Sequence, residues 1–183
     1  MTAAGIARYL FDADALICLR SLALVERLCS SERFPRPAVI TQYVARHELS
    51  AIDGQIRELE AAGLVRVESI LAKDPDFRRL RQGGVDKGEA EAISWAMAQP
   101  PERRPAFISL DRKGRATARE NGVSAGDVMD LLVDLIEQSV LTTEEARERV
   151  APWDDRRQQR GRPSDFKTFD EMLDRRRLNR WSG

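Results

Sequence analysis

The feature that most constrains the fold is a repeated alternation of short apolar runs with longer amphipathic segments. Residues 6–11 form a short, mostly apolar run that ends at Asp12, and residues 38–40 and 106–110 form similar runs. Continuous apolar runs of this length are typical of strands buried on both faces of a parallel sheet. Between residues 15 and 28, apolar residues recur at three- and four-residue steps and predict an amphipathic helix. The sequence therefore predicts an α/β fold with a mostly parallel sheet.

Further elements follow in the same order along the chain. They are a helix after Thr41 that carries Glu48, a helix over 51–62, an edge strand over 64–70, and helices over 73–82, 86–97, 113–120, 128–136 and 143–150. Glycine and proline residues separate most of these segments, as at Gly63 and Pro100. Because helices that connect parallel strands cover both faces of the sheet, this order predicts a three-layer α/β/α sandwich.

The composition changes after Pro152. Residues 153–183 carry nine Lys and Arg against six Asp and Glu, whereas the whole chain of 183 residues carries thirty of each. We therefore predict one domain over residues 1–152 and a basic C-terminal tail over 153–183. This tail is either a docked arm with a short helix near 170–178 or a segment that is disordered until it binds a partner.

Charge and cysteine content exclude several classes of protein. The balanced charge and a pI near 6.6 are unlike those of a general nucleic-acid binder, so any contact with nucleic acid must be local. Two cysteines, Cys18 and Cys29, cannot form a disulfide framework for a chain of this size. Acidic residues interrupt the first apolar run, and no basic region precedes it, so we expect neither a signal peptide nor a membrane-spanning helix. These features predict a cytoplasmic protein without a membrane partner.

Four acidic residues are expected at the edge of the sheet where open α/β folds bind ligands, beyond the carboxyl ends of the strands. Asp12 and Asp111 each follow a predicted strand directly. A helical wheel places Glu48 and Glu89 on the apolar faces of their helices, whereas Glu91 points to the opposite, solvent side. A carboxylate on an apolar face needs a cation, a hydrogen-bonding partner or an opening to solvent.

Each acidic residue also has a purely structural interpretation. A strand-end aspartate makes a good helix cap, and Asp86 with Glu89 matches the D-x-x-E pattern of a capping box. Asp14 either caps the first helix or holds a metal-bound water. Asp127 is a weaker ligand candidate, and with Asp130 it is also typical of the acidic start of a helix.

Carboxylates so crowded require a cation. Like charges at Asp12, Glu48, Glu89 and Asp111 repel one another and raise each other's pKa values unless a cation neutralises them. Oxygen-only ligands suit Mg²⁺ or Mn²⁺, and such a site can activate water for attack on a phosphodiester. The sequence has no glycine-rich phosphate loop and no C-x-x-C or H-E-x-x-H pattern. Its single histidine, His47, is more typical of a helix face than of a ligand or a Ser-His-Asp triad.

Four segments carry the acidic residues in order, namely YLFDADALICL, VITQYVARHELS, GEAEAISWAMA and FISLDRKGRATARENGV, and GDVMDLLVDLIEQSVLT follows them. Together they resemble the PIN-domain family of metal-dependent nucleases, particularly the VapC-like ribonuclease toxins of type II toxin–antitoxin pairs, over nearly all of residues 6–150. The resemblance implies an acidic pocket that binds Mg²⁺ or Mn²⁺ and cleaves single-stranded RNA. It assigns catalysis to Asp12, Glu48, Glu89 and Asp111, and the metal above all to the first, third and fourth of these. Asp14 is then in supporting contact, as is Asp127 in its weaker position.

The leading hypothesis is a metal-dependent endoribonuclease that acts as a toxin and is held inactive by a protein antitoxin, with a homodimer suggested by the resemblance. Two alternatives remain open, a PIN-type nuclease of RNA processing or DNA repair without an antitoxin and a non-catalytic PIN-fold binding module. An acidic site must still attract an acidic polymer, so we expect local positive charge. The candidates for RNA binding are Arg112, Lys113, Arg115 and Arg119, or the tail arginines.

Overall fold

A five-stranded sheet organises the structure, a computed structural model that describes residues 9–34, 38–154 and 160–179. The strands are β1 (Tyr9–Phe11), β2 (Ala38–Thr41), β3 (Val65–Glu68), β4 (Ala106–Ile108) and β5 (Ala125–Gly126). Their order in the sheet is β3-β2-β1-β4-β5, and the pairs β1–β2, β1–β4 and β2–β3 are parallel. The edge position predicted for β3 is confirmed. Residues 6–8, which the sequence assigns to the first strand, lie outside the described residues.

Helices account for most of the remaining described residues. The α-helices are α1 (Ala13–Ser21), α2 (Leu24–Ser30), α3 (Asp53–Ala61), α4 (Pro75–Gln82), α5 (Lys87–Met97), α6 (Arg112–Glu120), α7 (Val128–Glu137), α8 (Thr143–Asp154) and α9 (Phe169–Asn179). With the parallel sheet, they confirm the predicted class, a three-layer α/β/α fold. Within the described ranges, no helix combines the length and the apolar composition needed to cross a bilayer.

Contacts divide the chain into two compact units, and the chain passes between them after Ala13, Phe34 and Ala125. The first unit contains β1 to β4 with α3 to α6, and the second contains α1, α2 and α7 to α9. The sequence predicts a different kind of boundary, between a domain over 1–152 and a tail over 153–183. That boundary stays a prediction.

The core of the first unit lies along the central strands. Leu10 of β1 is in register with Val39 of β2 and with Phe107 of β4, and all three side chains are fully buried. Ala92 and Ile93 of α5 belong to the same buried cluster. Burial on both faces explains why these strands have no alternating polar residues.

The single helix predicted between residues 15 and 28 is two helices in the structure, α1 and α2. The break is at Ala23, which adopts a left-handed backbone conformation with φ of 51°. Leu22 and Leu24 on either side of it are both buried. The apolar spacing therefore continues through a turn that no glycine or proline marks, and burial of these two leucines favours the turn although Ala23 is an unusual residue for that conformation.

The described part of the C-terminal segment packs within the second unit. Helix α8 continues through Pro152 to Asp154, about one turn past the predicted helix end at residue 150, and Trp153 is fully buried. The Trp153 ring contacts Phe166 edge-on, with 5.6 Å between ring centroids. Helix α9 packs against α7 and α8, and its residues Phe169 and Met172 are buried. Burial of these aromatic side chains therefore holds residues 160–179 against the unit.

An ion-pair triad joins α9 to the start of α7. The guanidinium of Arg176 donates to Asp130 Oδ1 and to Asp127 Oδ2, both at 2.8 Å. Both carboxylates are almost completely buried, and burial raises the pKa of Asp130 while Arg176 opposes that rise. Asp127 and Asp130 also form a reciprocal capping box, so the interpretation of these residues as acidic helix starts is confirmed.

We predict that Arg176→Met lowers the free energy of unfolding by about 3 kcal/mol, because removing one partner leaves buried carboxylates without their cation. The matched control is Arg177→Met, which removes the same charge from an exposed position one residue later. Adding Asp130→Asn to Arg176→Met is expected to recover part of the loss. Chemical denaturation of the three variants measures these changes, and equal stability of Arg176→Met and Arg177→Met would contradict the prediction.

Candidate functional site

Parallel pairing of β1 with β4 brings two polar residues together at the carboxyl ends of these strands. Phe11 is in register with Ile108, so Asp12 and Ser109 follow side by side, and the Asp12 backbone N–H donates to Ile108 O at 3.0 Å. Asp12 Oδ1 accepts from Ala13 N at 2.8 Å, and Oδ2 accepts from Ser109 Oγ at 2.9 Å. The Asp12 carboxylate is therefore held in one orientation at the sheet edge.

Ser109 links the two strand-end aspartates. Its hydroxyl is fully buried, donates to Asp12 and accepts from the backbone N–H of Asp111 at 3.1 Å. The sequence analysis missed this residue. The only signal is a small polar side chain inside the otherwise apolar run FISL, and a lone serine in a strand does not by itself indicate a partner.

Asp111 is the N-cap of α6. Its Oδ1 accepts from Lys113 N at 2.5 Å and from Gly114 N at 3.2 Å. The capping interpretation is therefore confirmed for Asp111. Both capping bonds use the same oxygen, and the residue is exposed, so capping does not occupy Oδ2.

Glu89 lies in the first turn of α5 and is half-buried. The capping box predicted with Asp86 is not formed, since the Asp86 side chain makes no capping bond to the described helix. Gly114 of α6 lies directly against the Glu89 carboxylate, so a Cβ at that position would overlap Oε1. Glycine at 114 therefore allows α6, which Asp111 caps, to approach Glu89 closely.

The Glu48 side chain also lies against the start of α5. A Cβ on Gly88 would lie 2.5 Å from Glu48 Oε1, so the Glu48 carboxylate lies against the α5 backbone beside Glu89. The helical wheel placed Glu48 on the apolar face of its helix, where a carboxylate needs a cation, a hydrogen-bonding partner or an opening to solvent, and the side chain is exposed. The reason is a π-helical turn over Val44–Glu48, closed by Leu49 N donating to Val44 O at 2.9 Å. Its wider turn changes the angular spacing of 100° that the wheel assumes.

The negative charges of the other three predicted acidic residues act on Glu89. Burial, followed by the charges of Asp111, Asp12, Asp86 and Glu48, raises the pKa of Glu89 from 4.5 to about 7. Burial alone disfavours the ionised carboxyl, and each neighbouring negative charge adds to that effect. Glu89 therefore lies where negative charge accumulates in the first unit.

The donor atoms of the acidic cluster suit a divalent cation, but their arrangement does not form a complete metal site. In the described residues, no three His, Cys, Asp or Glu side chains lie close enough together to hold a metal ion as they stand. The available donors are carboxylate oxygens, which suit Mg²⁺ or Mn²⁺, and a cation would offset the repulsion that raises the pKa of Glu89.

Two residues predicted to support the site belong to the second unit. Asp14 is exposed in the first turn of α1, 3.9 Å from the guanidinium of Arg160. Both oxygens of Asp127 accept hydrogen bonds, Oδ1 from the start of α7 and Oδ2 from Arg176. Their supporting roles stay predictions.

The prediction for Glu91 is wrong. Its side chain is only 8% exposed, and Oε2 accepts from the backbone N–H of Tyr43 at 2.8 Å. The wheel assumed that α5 has one buried face, but its residues from Ala90 to Ala96 are nearly all buried. The face opposite Glu89 is covered by the turn after β2, where Glu91 satisfies a backbone donor.

Two of the predicted RNA-binding side chains of α6 are exposed and two bond to the protein. Arg112 and Lys113 are exposed beside Asp111. Arg115 donates to Ser109 O at 2.7 Å, and Arg119 donates to Ala125 O at 2.8 Å. Arg115 therefore also stabilises the connection between β4 and α6, and the RNA-binding role of all four stays a prediction.

We predict that, without metal, wild-type stability falls as the pH rises from 5 to 8. Folding raises the pKa of Glu89 from 4.5 to about 7, so the folded protein binds the proton more tightly. That stabilisation is present at low pH and is lost as the pH passes through this window. Glu89→Gln cannot titrate, so its melting temperature in EDTA should change less across the same range. Identical pH profiles for both proteins would disprove the raised pKa of Glu89.

Comparison with known protein families agrees with this architecture. A family model described as PIN domain matches residues 8–159, a range that includes all five strands and the acidic residues 12, 48, 89 and 111. No significant match was found among curated proteins or among solved structures. The family match covers most of the chain. This chain therefore belongs to the PIN-domain family.

Proposed function

We propose that this PIN-domain protein is a metal-dependent endoribonuclease that hydrolyses phosphodiester bonds of single-stranded RNA. PIN domains are generally nucleases, which supports the reaction class. The observation that carries the proposal is the convergence of Asp12, Glu48 and Asp111 on a half-buried Glu89 whose pKa they help to raise. A divalent cation with a phosphate group would offset this repulsion.

Asp12, Glu89 and Asp111 are the residues that would hold Mg²⁺ or Mn²⁺. When bound, such an ion lowers the pKa of water and offsets the charge of the phosphodiester. Ser109 orients Asp12 through its Oγ, and the α6 cap orients Asp111. Glu48, which is exposed, would be the fourth catalytic carboxylate and would accept a proton from the attacking water.

RNA must approach this negative cluster, and basic side chains beside it support that step. Arg112 and Lys113 are exposed in the first turn of α6, directly after Asp111. If Arg112 and Lys113 each contact a phosphate, with Arg115 as a further basic residue of the same helix, they would bring the RNA backbone to the carboxylates. Binding of this kind does not depend on base sequence and weakens as salt increases.

We further propose that the protein is a cytoplasmic toxin, active as a homodimer, whose cognate antitoxin covers the acidic cluster. The support is the similarity of the four acidic segments to VapC-like proteins. Induced expression of wild type should then arrest growth, and expression of Asp12→Asn should not. Growth unaffected by an active nuclease would favour a role in RNA processing or DNA repair, whereas inactivity of wild type would favour a non-catalytic module.

We predict that purified wild type cleaves single-stranded RNA with Mn²⁺ and not with EDTA. Ser109→Ala should lower turnover by about 10- to 100-fold, because second-shell partners of metal ligands contribute that much, and Asp12→Asn should lower it further. Glu120→Gln, at the other end of α6 and exposed, is the matched control and should cleave like wild type. The measurement is initial rate on a labelled RNA pool. Cleavage by Asp12→Asn at the wild-type rate would refute the assigned site.

A further inference from the structure

A cavity of about 230 Å³ lies beside the acidic cluster in the first unit, and no role assigned above uses it. Its walls come from the turn after β2, the loop after β3, and the first turns of α4 and α5; they include Tyr43, Arg46, His47, Phe77, Lys87 and Glu91. Thr41 is in register with Glu68, so the residues that follow β2 and β3 lie at the carboxyl-end edge that also carries Asp12. The cavity is therefore next to the proposed catalytic residues.

Chain neighbours connect the cavity to the cluster at two points. His47 immediately precedes Glu48 in the π-helical turn, and the Glu48 carboxylate and the Tyr43 ring both lie against Gly88 at the start of α5. Lys87 and Glu91 lie on the face of α5 opposite Glu89. A molecule bound in the cavity would therefore lie beside Glu48, one of the proposed catalytic carboxylates. The volume is smaller than the roughly 300–1,000 Å³ of sites for drug-sized ligands, which suits a single flat ring system.

An aromatic pair forms one side of the cavity. The rings of Tyr43 and His47 are 4.6 Å apart between centroids, with 34° between their planes. Lys87 Nζ lies 4.7 Å from the centroid of the Tyr43 ring. His47 is exposed, so its ring is accessible to a partner from solvent. Proteins that bind single-stranded nucleic acid stack unpaired bases on accessible aromatic side chains.

The charged groups of the cavity differ in burial. Arg46 and Lys87 are exposed cations at its rim, whereas the Glu91 carboxylate is buried in its wall. Glu91 lines the cavity, and its Oε2 accepts from Tyr43 N, which fixes the carboxylate in the cavity wall. Cations at the rim match a phosphate, and an acceptor in the wall matches an amino group on a base. A purely anionic ligand would be repelled by Glu91.

We propose that this cavity binds one unpaired nucleotide of the RNA substrate, adjacent to the cleaved bond, with the base against Tyr43 and His47 and the phosphate at Arg46 and Lys87. The Glu91 carboxylate accepts from an exocyclic amino group, so adenine, cytosine or guanine binds better than uracil. This inference rests on the proposed function, because it assigns the cavity to that enzyme's substrate.

Binding of fluorescein-labelled octaribonucleotides in EDTA, followed by anisotropy, tests the proposal without cleavage. His47→Ala is expected to weaken binding of octa-adenylate by about 10-fold, since stacking on an aromatic ring contributes that much per base. Arg46→Gln should weaken it as well. Arg103→Gln is the matched control, because Arg103 is exposed just before β4, at the amino ends of the strands rather than at their carboxyl ends. Affinities of all three variants within twofold of wild type would overturn the proposal.

Base preference provides a second, independent readout. Gln at position 91 can keep the bond to Tyr43 N through its oxygen and turns an amide N–H₂ group toward the cavity. Glu91→Gln should therefore reduce the preference for octa-adenylate over octa-uridylate, with an unchanged melting temperature as the check on folding. Hexaglutamate peptide is the probe for the other class of ligand. Affinity for it equal to that for RNA, with the same loss in His47→Ala, would show that the cavity binds acidic protein segments and would overturn the assignment.

The cleavage assay with Mn²⁺ separates this inference from the proposed function. Cleavage by wild type together with unchanged RNA affinity of the cavity variants leaves the nuclease standing and rejects the subsite. Weakened RNA affinity of the cavity variants, without any Mn²⁺-dependent cleavage by wild type, supports the RNA-binding cavity and rejects the nuclease. In an active enzyme, His47→Ala should raise KM for RNA more than it lowers kcat, because stacking binds substrate and transition state alike.

Discussion

Repulsion between carboxylates is the constraint around which the first unit is built. Glu89 is half-buried in a field to which Asp12, Asp111 and Glu48 contribute, and its pKa rises to about 7 as a result. Three different devices keep these groups near one another: the β1–β4 register with the Ser109 bridge, the α6 cap at Asp111, and helix starts that come close at glycines. Each device acts through the backbone or a neutral hydroxyl group, so none of them neutralises the charge. The proposed cation would offset the negative charge that these contacts bring together.

The second unit also contains crowded carboxylates, but there an arginine of the protein pairs with them. Asp127 and Asp130 are as crowded and more deeply buried, yet Arg176 donates one hydrogen bond to each of them. A pair satisfied inside the protein contributes to stability and has little need of a cation from solution. The contrast separates acidic residues that hold the structure together from those that are candidates for chemistry. Sequence spacing alone could not make this distinction, because Asp127 and Asp111 both precede helices.

The sequence was sufficient to predict secondary structure and strand-end residues where the backbone is regular. Continuous apolar runs predicted β1, β2 and β4, and the aspartates at two strand ends followed from those runs, because parallel strands end at one edge of a sheet. The helical wheel assumes a regular helix with one buried face, and this assumption fails at Glu48, Glu91 and Ala23, where the structure has a π-helical turn, a helix buried on both faces and a left-handed alanine. Ser109 was missed for another reason, since its role depends on a partner 97 residues away.

The irregular turn after β2 connects these failures to function. A regular α-helix there would have carried Glu48 toward the apolar face that the wheel predicts, whereas the π-helical turn leaves Glu48 exposed beside Gly88 and places His47 against Tyr43. Glu91 then holds the start of that turn through Tyr43 N. Turns of this kind are rare in α-helices and are frequent at functional sites, because their energetic cost persists only where other contacts fix them. The same local irregularity therefore positions both Glu48, a proposed catalytic carboxylate, and the aromatic pair of Tyr43 and His47, so the proposed chemistry and the proposed nucleotide subsite depend on one turn.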